Sequence, residues 1–579
     1  VSPRWVVWSA GSTLRDAVGA GVDISRTWDL AEAHRIIHGG WWATPGHVVA
    51  GCRGLDPGAV PAPRMPHRSG FDGDLFDVAA GDDAALFTPE GHLRADALSW
   101  ATDVDRLREL ALLALECQVA QLDSLRALGG SAARRLERTV WSESAAAVLC
   151  LELQRDGLPV DRPAAEDLIG LSAGPRPVDD VDAARIRSAR DRDVLRHAPG
   201  RERTDLRNPA QVRELLLSVG IDVPNTRAFV LEPYRHTHPL VDALLRWRKD
   251  ERIATTYGYR WLDSCVGPDD RLRGEWTACD GAAGRMTAGS GLHNLPAPLR
   301  PAVCAAPGYV FVRADLGQIE PRVLAVVSAD QAFAEATRSD DLYAPVAAKL
   351  GADRPTAKVA VLAAMYGQRS GPAGEALKDL ERAYPVAMGL LDRAYADGVA
   401  RRPLRTYGGR LIRFGSAPPR PSGPEGPPGP EVDADVTSPA QGPGGPSIPP
   451  GGPSVPPGGP SVPPGGPGVP PDGIPEWSGT GAEGARGRYA RNAIIQGSAA
   501  ELFKAWAATV RHDVRPLGGQ IVLCLHDELL VHVPEPRAAE AARALEHSLE
   551  RASRTWAGTD QVRFVADTSV VRRWSEAKG

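Results

Sequence analysis

Paired cysteines are missing from this chain. Its seven cysteines are scattered and form no Cys-x-x-Cys pair, which argues against a zinc site or a disulfide framework and fits a reducing cytoplasm. No apolar run approaches the roughly 20 residues that a membrane-spanning helix needs. The start, Val1-Ser-Pro-Arg-Trp5, lacks the basic-then-apolar order of a secretory signal. An excess of positive charge is also missing, because the net charge is −5. The deficit is local. Between residues 416 and 478 six acids (Glu425, Glu431, Asp433, Asp435, Asp472, Glu476) face one base, Arg420, so this segment alone carries −5 and the remainder is neutral. A neutral body still presents a basic groove when its acids gather elsewhere, so a nucleic-acid partner is not excluded.

What is present is a globular composition, 43% hydrophobic and 24% charged over 579 residues, too long for one core and sufficient for roughly two to four domains. Residues 1–130 read as a small α/β unit. It has a strand at Trp5–Trp8, helical spacing over Leu14–Ala20 and Leu30–Ile37, and a long amphipathic helix over Val104–Leu128. The intervening 51–100 is rich in Pro, Gly and Asp and reads as loop; within it Gly73-Asp-Leu-Phe76 is either a buried Leu-Phe pair or a docking peptide. Residues 131–270 read as helical, over Ser142–Asp156, Pro163–Ser172, Asp179–His197, Pro209–Val219 and Pro239–Tyr259. Asn208-Pro209 is a helix start and Gly157 a helix stop. The basic stretch Arg246–Arg252, with Trp247 and Tyr257 nearby, is either a solvated helix face or a surface that tracks phosphates.

Residues 271–330 turn to strand and loop, with Tyr309–Asp315 a strand ending in an acid and Gln318–Ser328 a helix. Residues 331–415 are helical again up to the Gly-rich turn Arg405-Thr-Tyr-Gly-Gly-Arg410. A low-complexity insert follows. Gly-Gly-Pro-Ser-Val-Pro-Pro and its variants repeat across 444–471, with nothing to bury, so 416–478 is expected to be a disordered surface loop. Order is expected to resume with a helix over Ala485–Val510, a hairpin over Ile521–Val533 and a helix over Ala538–Thr555.

Three places carry chemistry. In the hairpin, two apolar runs flank His526-Asp527-Glu528, a tip that suits either a divalent cation or plain solvent. A second acid, Asp315, ends its own strand. On a helix from 354 to 366, Arg354, Lys358, Leu362 and Tyr366 step by four along one face, a ladder that suits a triphosphate at one end and a base at the other. Two acids on separate strands facing a cationic helix suit two-metal phosphoryl transfer.

These motifs resemble the bacterial DNA polymerase I family (family A), including its actinobacterial bifunctional 3′–5′ exonuclease/polymerase members. The likeness runs from about residue 135 to the C-terminus. It rests on Asp315-Leu-Gly-Gln-Ile-Glu-Pro-Arg322, on Arg354-x3-Lys358-x7-Tyr366-Gly367, and on His526-Asp527-Glu528. Gly284-Arg285 with Leu292-His-Asn-Leu-Pro296, and Arg488-x3-Asn492-x3-Gln496-Gly497, extend it.

The resemblance implies an α+β right-hand polymerase. Its thumb would span 131–270, its palm 271–330 and 479–579, and its fingers 331–415, behind a partial RNase H-like exonuclease-type α/β domain at 1–130. It implies primer–template DNA and dNTPs as partners, a monomer, two Mg²⁺ ions, and a cytoplasmic, nucleoid-associated place of work. Asp315 and Asp527 would hold the metals with Glu528 assisting, and Arg354 and Lys358 would bind the triphosphate. Tyr366 would stack at the nascent base pair and Glu320 would crowd the sugar 2′ position. Arg285, Asn294, Arg488, Asn492 and Gln496 would follow the primer–template, and His526 would touch the primer end.

The chain departs from the family pattern at Leu316, Pro321, Pro355 and His293, and above all at Leu362, where the family has Phe or Tyr. The smaller side chain implies a looser sugar pocket. In 1–130, Gly21–Ile24 and Trp28–Glu32 echo the family's proofreading exonuclease. The Asp-x-Glu motif of that exonuclease would lie upstream of Val1. Its second Asp falls near Thr13, and its Tyr-x3-Asp aligns with Leu112-x3-Glu116. The resemblance therefore implies polymerase activity without proofreading. The alternative is a catalytically weak primer–template binding protein.

Overall fold

The computed structural model describes residues 3–62, 85–367, 372–414, 481–525 and 527–577. The Gly73–Phe76 peptide, the 416–478 insert and His526 lie outside the described residues. At the centre is a four-stranded antiparallel sheet built from Gln520–Leu525, Glu528–Pro534, Tyr309–Leu316 and Ala566–Val571, in that spatial order. The two central strands read Glu-Leu-Leu-Val-His-Val-Pro and Tyr-Val-Phe-Val-Arg-Ala-Asp-Leu. Near-continuous β-branched and aromatic runs of this kind suit a sheet covered on both faces. Helix Ile319–Ser328, the 33-residue helix Ala482–Val514 and helix Ala538–Ala557 bury apolar residues against the sheet in one continuous core.

The N-terminal unit is built on a parallel pair of three-residue strands, Trp5–Val7 and Thr27–Asp29. Part of it, including Val7, Leu14, Val18 and Ile24, shares the main core; Trp28, Leu30 and Ile36 pack with Leu110 and Leu113 of helix Val104–Arg126 in a second cluster. The helix expected to begin at Ser142 begins at Gly130 and runs to Asp156. Its polar first half, Arg134-Arg-Leu-Glu-Arg138, hides the periodicity that marks the rest. A third apolar cluster holds the far end of the helical region, with Val212, Leu216, Leu240 and Trp247.

Trp247 is 6% exposed, and its indole N–H donates to Asp191 at 3.0 Å. Tyr257 is buried, and its hydroxyl donates to the Asn294 carbonyl at 2.7 Å. The aromatic pair of the expected phosphate-tracking surface is therefore core. An amphipathic helix places its aromatics on the buried face even when the neighbouring residues are basic. The helix caps agree with the sequence: Asn208 accepts from the Ala210 amide at 3.0 Å, and Gly157 closes its helix at φ 63°.

Candidate active site

Strand alternation puts residues 311, 313 and 315 on one face of the central strand. Antiparallel register then sets Asp315 directly opposite Glu528 on one side and Asp567 on the other. Asp527 sits at the turn, and its carbonyl accepts from the Leu316 amide at 2.9 Å. Asp315 and Asp527, expected on separate strands, are thus tied end to end by a backbone bond. The expected open hairpin tip needs correction for one member. Leu525 pairs with Glu528, and Glu528 is the first residue of a strand, 7% exposed. Its Oε1 accepts from the Trp574 indole at 2.6 Å and its Oε2 from Arg313 Nη2 at 3.2 Å.

Burial and crowding show in the acidity of Asp527. Desolvation first, then the charges of Asp315, Glu528 and Glu320, push Asp527 up to about 7. Hard oxygen donors under like-charge stress fit a divalent cation, which would relieve the repulsion. Among the described residues no group of three or more His, Cys, Asp or Glu forms a ready-made metal cage; Asp315 and Asp527 could hold a cation only with further ligands from water or substrate.

One residue of this cluster escaped the sequence reading. Arg313, only 3% exposed, donates through Nη2 to Asp315 Oδ2 as well as to Glu528, and its Nη1 lies 3.3 Å from Asp567 Oδ2. Burial works against its charge, but Glu528 and Asp315 hold its pKa above the ordinary value. An arginine two positions before Asp315 in an otherwise apolar strand was the available signal.

Helix Arg354–Tyr366 opens on Asp353, which accepts from the Thr356 amide at 2.8 Å, and closes on Gly367 at φ 75°. A side chain at Gly367 would be strained there and would meet Arg488 Cγ at 3.2 Å. Ala357, Ala360, Val361, Ala364 and Met365 are buried, whereas Arg354 is exposed and Lys358, Leu362 and Tyr366 are half-buried along one face, as the step of four predicts. Arg354 is held by Asp341, with Nε to Oδ2 at 2.5 Å and Nη2 to Oδ1 at 3.3 Å. Asp341 also accepts from Gln318 Nε2 at 2.9 Å, and Gln318 adopts a left-handed conformation at φ 55° where the Asp315 strand passes into the next helix. Burial and the neighbouring Arg354 cation lower the Lys358 pKa.

Glu320 ties the two parts together. Its Oε1 accepts from Arg285 Nη2 at 3.2 Å and its Oε2 from the Tyr366 hydroxyl at 3.3 Å. Burial, then the Glu320 charge, raise the Tyr366 pKa. With its amide oxygen turned toward Arg285, Gln496 accepts from Nη2 at 2.6 Å. Asn492 lies one turn before Gln496 on the same helix, and Arg488 one turn before that, exposed. Asn294 is exposed at the end of a short helical turn. Leu362 is half-buried against the core and shares its helix face with Tyr366.

The family model described as DNA polymerase family A matches residues 189–379 and 477–576. A thermostable DNA polymerase I of Thermus filiformis is 26% identical over 383 residues, covering 61% of this chain and 38% of that protein. The DNA polymerase I of Chloroflexus aurantiacus is 27% identical over 339 residues, 55% of this chain and 31% of that protein. A 76-residue stretch is 43% identical to DNA polymerase theta of Caenorhabditis elegans, 13% of this chain and 5% of that protein. This chain thus spans well under half the length of these relatives. In fold it is similar to the POL domain of Pol1 from M. smegmatis, described in complex with DNA primer-template and dNTP. The TM-score is 0.61 at 19% identity, covering 97% of this chain and 84% of that one.

Proposed function

The chain belongs to DNA polymerase family A, and on that premise we propose that it is a template-directed DNA polymerase that extends a primer 3′-hydroxyl with deoxynucleotides. The observation that carries this reading is the juxtaposition of Asp315 and Asp527 at adjoining strand ends, with Arg354 tied through Asp341 to Gln318 in the turn that follows Asp315. The 3′-hydroxyl gives its proton to water, its oxygen attacks the α-phosphorus of the dNTP, a P–O bond forms, the bond to the β-phosphate oxygen breaks, and pyrophosphate leaves.

Asp315 and Asp527 would hold the divalent cations. When bound, two Mg²⁺ ions supply a lowered pKa to the attacking hydroxyl and neutralise charge on the departing pyrophosphate. Arg354 and Lys358 bind the triphosphate as fixed cations that need no reorganisation during the reaction. Tyr366 stacks at the nascent pair, anchored by Glu320, which in turn fills the space beside the sugar. Arg285, Gln496, Asn492, Arg488 and Asn294 contact the primer–template, and His526 the primer end.

The region 1–130 serves as a degenerate exonuclease-type domain without proofreading. Thr13 and Glu116, which stand at two of the exonuclease acid positions, are both exposed on helices. The protein is proposed to work as a cytoplasmic, nucleoid-associated monomer; among the described residues no helix is long and apolar enough to cross a membrane.

The test is primer extension with Mg²⁺ and dNTPs beside release of a labelled 3′-terminal nucleotide without dNTPs. Extension by the wild type that Asp527→Ala abolishes, with no release of label, is the expected result. No extension, or equal extension by Asp527→Ala, overturns the polymerase reading. The weak DNA-binding alternative draws on the departures from the family pattern at Leu316, Pro321, Pro355 and Leu362; it predicts primer–template binding without extension.

A further inference from the structure

The Asp315 face of the central sheet carries its own cation. Arg313 emerges from the same strand on the same face as Asp315, and the register places Glu528 and Asp567 opposite Asp315 on the two neighbouring strands. Its guanidinium reaches all three carboxylates, with Nη2 on Asp315 Oδ2 and Glu528 Oε2 and Nη1 on Asp567 Oδ2 at 3.3 Å. It also donates to the carbonyl of Ala577 at 3.4 Å. The side chain is 4% exposed, so this geometry is fixed by packing and not by a mobile surface arm.

We propose that Arg313 is an internal counter-cation that competes with divalent metal for Asp315, holding Asp315 and Glu528 in place without metal and weakening the site's metal affinity. The inference rests on the reading of Asp315 and Asp527 as the metal-holding carboxylates. The physical basis is direct. A carboxylate oxygen that already accepts from a guanidinium has less charge to offer a metal and one lone pair fewer, and a fixed positive charge a few ångströms away opposes any second cation through a poorly screened medium. Glu528 is bracketed by Arg313 and Trp574, which leaves it a supporting carboxylate and not a metal donor. Arg313 is thereby a positioning residue whose charge sets how much Mg²⁺ the enzyme demands.

The test measures Mn²⁺ binding to the full chain without DNA, by the loss of the free-ion electron paramagnetic resonance signal, in wild type, Arg313→Gln, Arg313→Lys and Asp527→Ala. Arg313→Gln should bind Mn²⁺ about tenfold more tightly, and Arg313→Lys should stay within about threefold of the wild type, because it keeps the charge. Unchanged or weaker binding by Arg313→Gln overturns the proposal. Loss of the buried guanidinium lowers stability, so a second readout is the rise in melting temperature on adding Mn²⁺. That rise should be larger in Arg313→Gln than in the wild type, and an equal or smaller rise also overturns the proposal. Asp527→Ala separates this inference from the reading beneath it. If it binds Mn²⁺ as well as the wild type does, the metal-site reading fails; if it loses binding while Arg313→Gln is unchanged, only the role of Arg313 fails.

Discussion

Glu528 stands directly across from Asp315 in the register of the two central strands, yet the two carboxylates are differently committed. Asp315 is part-exposed, whereas Glu528 has one oxygen on Trp574 and the other on Arg313. Two acids side by side across neighbouring strands therefore divide into one that stays part-exposed and one that braces the strand.

Trp574→Phe isolates that brace. A smaller aromatic ring stays and the indole donor goes, leaving a buried carboxylate oxygen unpaired. A loss of about 1–3 kcal/mol of stability is expected, read from the denaturant midpoint at constant m-value. A shift below about 0.5 kcal/mol would mean that water replaces the indole without cost.

Asp341 should act on nucleotide binding more than on chemistry. It fixes one edge of the Arg354 guanidinium and leaves the other edge oriented. Asp341→Asn weakens that clamp at constant size, so KM for dNTPs should rise about five- to tenfold with kcat within about twofold. An equal fall in kcat and kcat/KM would place the contact in the transition state instead.

Leu362→Phe restores ring volume beside Tyr366 and Glu320. We expect the ratio of deoxy- to dideoxynucleotide incorporation to change, measured by competition on one template. An unchanged ratio would show that residue 362 does not touch the sugar.

His532 predicts a stability loss toward acid. It is buried, stacks on Tyr309 at 4.5 Å, and accepts the Ala306 amide at Nε2. Burial, then the charge of Arg271, lower its pKa to about 4. A depressed folded-state pKa contributes stability that is complete above the unfolded value near 6.5 and is lost as pH falls through about 4. The expected loss over that window is about 3 kcal/mol. His532→Gln should flatten the wild-type stability profile between pH 6.5 and 4; an equally steep profile would assign the acid sensitivity elsewhere. Asp527, raised to about 7, acts in the opposite sense, its contribution being lost as pH rises from about 4 to about 7.

Local spacing made the helix face and the Asp315 strand readable. Arg354, Lys358, Leu362 and Tyr366 share a face because four residues are close to one turn, and Asp315 closes a run of apolar residues. What depended on distant partners was hidden. Glu528 reads as part of a polar turn, and only its register with Leu525 and Asp315 makes it a buried strand residue. The edge strand Ala566–Val571 is half-exposed along its length, so Ala-Asp-Thr-Ser-Val-Val carries little apolar signal. Trp247 among basic neighbours reads as surface, but its partners Asp191 and Arg207 come from other segments. Arg313 was overlooked because a charge in a strand gains meaning only from the carboxylates that adjacent strands bring to it.

The 33-residue helix Ala482–Val514 is about 50 Å long, with Arg488, Asn492 and Gln496 near one end. At the other end Arg511 forms a two-pronged pair with Glu152 and donates to the Ile24 carbonyl, while Arg515 reaches Glu152 and Asp23. Mechanically this is a beam clamped at its far end by the N-terminal unit. The N-terminal unit would then set the tilt of the surface proposed to hold the primer–template. Loosening the clamp with Arg511→Gln should shorten the tracts copied per binding event while single-nucleotide addition stays nearly constant.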